Sequence, residues 1–120
     1  MRSYGGASAL HRQMVALQSL LPEMDTEWET LTSSIQADQQ RLTVLEEWRQ
    51  EFTLLLSAEP ESVTPSILAL IGQLDMVERQ IRQVAEEIAR KQLLRQALEQ
   101  RFDEVRLVLG ALRQREAGIL

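Results

Sequence analysis

Two stretches of the chain repeat apolar residues at alternating steps of three and four, the spacing that keeps one narrow stripe of a helix turned toward a partner helix. The first stripe reads Leu10, Met14, Leu17, Leu21, Met24, Trp28, Leu31, Ile35, Asp38, Leu42, Leu45, Arg49, Phe52 and Leu56, and only Asp38 and Arg49 interrupt it. The second reads Ile67, Leu70, Leu74, Val77, Ile81, Val84, Ile88, Lys91, Arg95, Leu98, Phe102, Val105, Leu109 and Leu112, interrupted by Lys91 and Arg95. Between them, Pro60 and Pro65 remove backbone donors and disfavour helical geometry in the residues before them. Thr64 and Pro65 then suit the N-cap and first position of a new helix, because a hydroxyl accepts an orphan amide bond and proline needs no donor there. The pattern predicts a helix over about 8–57, a turn over 58–64 and a helix over about 65–116. The second helix would be roughly 50 residues, or about 75 Å, long.

So short a turn sends the second helix back along the first. The predicted fold is all-α: two long helices in an antiparallel coiled-coil hairpin, one unit over residues 1–120. Pro22 lies within the first pattern without shifting its phase, and its missing donor predicts a kink or break there; a break would leave 8–20 as a separate short helix. In the hairpin Leu56 lies near Ile67 and Leu10 near Leu112, which brings Asp38, Lys91 and Arg95 into one middle stretch. Pairing among them would offset desolvation and fix the register.

Composition narrows the chemistry. The 120 residues include no cysteine, which excludes disulfides, thiolate nucleophiles and cysteine-held metal, and one histidine, His11, which has no second imidazole to work with. No glycine-rich phosphate loop, His-x-x-x-His pair or nucleophile elbow occurs, so neither an enzyme nor a cofactor is expected. Thirteen Lys+Arg against eighteen Asp+Glu give a net charge of −5, unfavourable for binding phosphate backbones and hence nucleic acid. All of that excess falls in residues 1–60; residues 61–120 are balanced. The longest apolar run, Ile67–Ile71, is too short to span a bilayer, as is Leu54–Leu56, and residues 1–6 lead into no apolar signal region. A cytoplasmic protein is expected.

Adjacent carboxylates at Glu46-Glu47, Glu86-Glu87 and Asp103-Glu104 would need a pocket that separates their pKa values before they could act as acid and base. A helix pair has none, so they read as solvated faces, as do the arginines interleaved with acids on the second helix. Apolar residues outside the stripes are more informative, because one seam cannot bury them: Val44, Trp48, Leu54, Leu55, Leu68, Ile71, Leu93, Leu94, Leu107 and Val108. Leu54, Leu55, Leu68 and Ile71 cluster on both sides of the turn, where they form either an interaction site or a small local core. Trp48 either contacts a partner, as tryptophan does at interfaces, or turns inward into space left by Arg49.

The segment Gln40-Arg41-Leu42-Thr43-Val44-Leu45-Glu46-Glu47-Trp48-Arg49-Gln50-Glu51-Phe52, then a turn, then Leu70-Ile71-Gly72-Gln73-Leu74-Asp75-Met76-Val77-Glu78-Arg79-Gln80-Ile81-Arg82, resembles the FliJ/YscO family. These are small coiled-coil stalk proteins of flagellar and virulence type III secretion systems. They share a leucine-rich helix ending in two aromatics about four apart, here Trp48 and Phe52, a short turn and a long returning helix. The resemblance covers roughly 24–116. It implies a non-enzymatic stalk whose end bearing both termini inserts into the pore of the hexameric export ATPase and helps couple ATP hydrolysis to export. The implied partners also include the export gate protein and secretion chaperones, with the protein peripheral to the inner membrane when assembled. By position the partner surface falls on Arg41, Leu45, Trp48, Phe52, Leu70, Leu74, Val77 and Ile81. Leu45, Phe52, Leu70, Leu74, Val77 and Ile81 are also seam residues, so Arg41 and Trp48 are the better surface candidates. The alternatives are a structural subunit of a constitutive coiled-coil complex and a secretion chaperone.

Overall fold

A computed structural model describes residues 2–58 and 63–119, with side chains for 9–58 and 63–118. Two helices account for nearly all of it: α1 (Arg2–Leu56) and α2 (Pro65–Ile119), with no strand among the described residues. The fold is an all-α antiparallel hairpin, as the stripes predict. Residues 59–62 of the predicted turn, Pro60 among them, lie outside the described residues.

The ends of the helices follow local chemistry. The backbone N–H of Ile67 donates to the Thr64 hydroxyl at 3.3 Å, and the N–H of Leu68 donates to the Thr64 carbonyl at 3.0 Å. Thr64 is therefore the N-cap and Pro65 the first helical residue, where its missing donor costs nothing. At the close of α1, the Ser57 N–H donates to the Thr53 carbonyl at 3.0 Å and its hydroxyl to the Leu54 carbonyl at 2.9 Å.

The separate short helix that a break at Pro22 would have produced does not form; α1 continues through it. Pro22 removes only the donor that Gln18's carbonyl would have used, and both residues are exposed, so water can take that carbonyl. Met24 on one side is buried and Leu21 on the other half-buried, so the seam holds the helix together across the proline. The Thr26 hydroxyl donates to the Pro22 carbonyl at 3.0 Å.

The chain divides into two compact units, each an antiparallel helix pair. Unit 1 comprises Met1–Thr32 and Leu93–Leu120. Its core packs Leu10 and Met14 of α1 against Leu109 and Leu112 of α2, with Leu17, Leu21 and Val105 alongside. Unit 2 comprises Ser33–Gln92. Its core joins Ile35 and Leu45 to Val77, Val84 and Ile88, with Leu42, Phe52 and Ile81 packed against them. Ile35, 2% exposed, is the most deeply buried of these. Of all the seam positions, only Arg49 is exposed.

Candidate functional site

The residues that the resemblance implicates all belong to unit 2, and they divide by what covers them. Leu45 and Val77 are buried in the core, and Phe52, Leu70, Leu74 and Ile81 are half-buried along the same seam. These six hold the helices together, which leaves little of their surface for another chain. Arg41 is exposed, beside a shallow polar groove shared with Asp38, Glu87 and Lys91. Trp48 does not turn inward: 49% of it is exposed, although Arg49 next to it is also exposed.

The position of Trp48 follows from helical geometry. It stands one residue before a seam position and four after Val44, itself 44% exposed, so the two share one stripe beside the seam. Leu55, one heptad beyond Trp48, continues that stripe and is exposed. Met76 of α2 is exposed as well, and the sequence reading passed over it because an isolated methionine between Asp75 and Val77 gives no pattern. The cluster around the turn also stays open. Leu54, Leu55, Leu68 and Ile71 are all exposed, so they do not wrap into a local core.

Polar positions in the seam are resolved by pairing. In unit 2 the Lys91 ammonium lies 2.6 Å from Asp38 Oδ2 and donates to the Ser34 hydroxyl at 2.7 Å, with Glu87 at 3.8 Å. Both side chains are about one-fifth exposed. Sequence spacing brought Asp38, Lys91 and Arg95 together without choosing between the two cations, and missed Ser34, which lies outside the stripe. Arg95 finds different partners in unit 1: it donates to the Thr32 hydroxyl at 3.4 Å, and its guanidinium sits 5.9 Å from the centre of the Trp28 ring. The Trp28 indole N–H donates to Glu99 at 3.2 Å, and Arg106 lies over the Phe102 ring at 5.4 Å. Each polar group is thus satisfied at modest cost, and the pairs fix which residue of α1 faces which of α2.

The adjacent carboxylates Glu46-Glu47, Glu86-Glu87 and Asp103-Glu104 are all exposed. Arg79 pairs with Asp75 and Arg90 with Glu87 along α2, ion pairs between residues on one helix face. No helix of the described residues is long and apolar enough to cross a membrane. What the arrangement offers a partner is therefore apolar surface framed by charge. No protein-family model, curated protein or solved structure matches the chain.

Proposed function

We propose that the protein is a non-enzymatic helical stalk or adaptor of a bacterial type III export apparatus, linking the export ATPase to the export gate. The half-exposed Trp48, four residues before Phe52 on α1, carries this reading. A tryptophan held half in water leaves on the order of 100 Å² to bury, worth about 2.5 kcal/mol to a protein partner. Tryptophans in such positions dominate interface energetics. Arg41, seven residues before Trp48, adds a charge at the edge of the same face. The protein would work in the cytoplasm, peripheral to the inner membrane when assembled. Mixing the purified chain with a hexameric export ATPase tests it: binding and altered ATP turnover support the stalk, and neither binding nor an effect refutes it.

One observation favours a second reading. Leu54, Leu55, Leu68 and Ile71 leave apolar surface exposed on both sides of the turn, which suits a structural subunit of a permanent coiled-coil complex. That role predicts poor solubility alone and stoichiometric co-purification with another helical chain.

A further inference from the structure

Unit 1 carries an unpartnered face of its own. A shallow groove between its helices is lined by Glu27 and Leu31 of α1 and by Leu94, Ala97, Leu98 and Arg101 of α2. Leu98 is buried and Leu31 half-buried, so the floor is apolar, while Leu94 stands half out of it. Leu94, Arg101 and Val108 recur at intervals of seven, as do Leu20 and Glu27, so all five lie on one side of the helix pair. Leu20, Leu94 and Val108 are each exposed.

The charges on this side define what fits it. The Trp28–Glu99 and Thr32–Arg95 hydrogen bonds set the register and put Glu27 and Arg101 on opposite rims at the same level. Among the described residues neither one makes an ion pair. A surface with an acid on one rim, a base on the other and leucine between them is complementary to itself.

We propose that this face binds a second copy of the chain, with the two-fold axis running along the helices so that α1 of each copy lies on α2 of the other. Glu27 of each copy then meets Arg101 of the other, twice by symmetry, and Leu20 meets Val108 above them. An axis running across the helices would set Glu27 against Glu27 and Arg101 against Arg101, so the charges select the first arrangement. Glu23 and Glu104, both exposed, stand one step further out on the same side, and their like charge keeps the dimer weak. The Trp48 surface that carries the export reading lies in unit 2, so Trp48→Ala leaves this self-association unchanged.

Sedimentation equilibrium of the full chain across the micromolar range tests the proposal, with far-UV circular dichroism verifying that each variant stays helical. The expected result is a monomer–dimer equilibrium. Glu27→Arg alone, or Arg101→Glu alone, turns two attractive contacts into two repulsive ones and weakens association by about tenfold. The double variant Glu27→Arg/Arg101→Glu recovers it. A chain that stays monomeric throughout, leaving the face to a different protein, overturns the proposal. So does a dimer indifferent to either reversal, or a double variant as weak as the singles.

Discussion

Removing Asp38 tests the polar seam of unit 2 most sharply. Asp38→Leu takes away the carboxylate 2.6 Å from the Lys91 ammonium and leaves that charge with the Ser34 hydroxyl at 2.7 Å and Glu87 at 3.8 Å. Breaking a fully buried pair costs about 3–5 kcal/mol, and breaking an exposed one about 0–1 kcal/mol. Side chains 18% and 20% exposed, with Glu87 still in reach, place the loss between these limits. We expect about 2 kcal/mol, or roughly 8 °C in Tm for a chain of this size. Lys91→Leu alone should cost as much, because it strands Asp38. Asp38→Leu/Lys91→Leu together should recover the wild-type stability or exceed it, since a well-packed apolar pair avoids the desolvation of both charges. What the natural pair supplies is register, because sliding one helix by a heptad leaves both groups unpartnered. Urea unfolding of the four chains, followed by far-UV circular dichroism, gives the coupling energy directly. A coupling below about 0.5 kcal/mol, or a double variant less stable than either single one, would refute the reasoning.

Other sites give simpler expectations. Gly72 and Gly110 lie inside α2 with nothing within 4 Å of an added Cβ, so Gly72→Ala and Gly110→Ala should each stabilise by about 1 kcal/mol and add in combination; thermal melts that do not rise would contradict this. Pro22→Ala restores a backbone donor inside α1 and should gain about 2 kcal/mol by urea unfolding, the helix-interior cost of proline less its restriction of the unfolded chain. Ile35→Ala empties the most buried site in unit 2 and should cost about 2–4 kcal/mol in the same assay; a loss under 1 kcal/mol would mean the seam there is loosely packed.

The seam was legible in the sequence because alternating three- and four-residue steps have one physical reading, a stripe facing another helix. The Thr64 cap followed from Thr64-Pro65 itself, and the spacing brought Asp38, Lys91 and Arg95 together, but only the structure separates Lys91, which pairs with Asp38, from Arg95, which turns to Thr32 and Trp28. Pro22 was harder to read. Its cost is local, whereas the burial that keeps α1 continuous past it comes from α2, which no local rule sees. Trp48 was ambiguous for a related reason: a residue beside the seam can lean either way, and only packing around Arg49 decides. Ser34 and Met76 gave no signal, because neither lies on a stripe and each matters through what stands opposite or beside it.

The central claim is that Trp48 is a contact for a protein partner and not part of the core. Its most direct test is capture from the source cells with the tagged full chain, wild type against Trp48→Ala, with the Tm of each measured alongside. The account predicts that the wild type retains an export gate protein, that Trp48→Ala loses most of it, and that Tm shifts by less than about 2 °C, as for an exposed site. A Tm drop matching the several kcal/mol of an emptied core site, or equal capture by both chains, would contradict it.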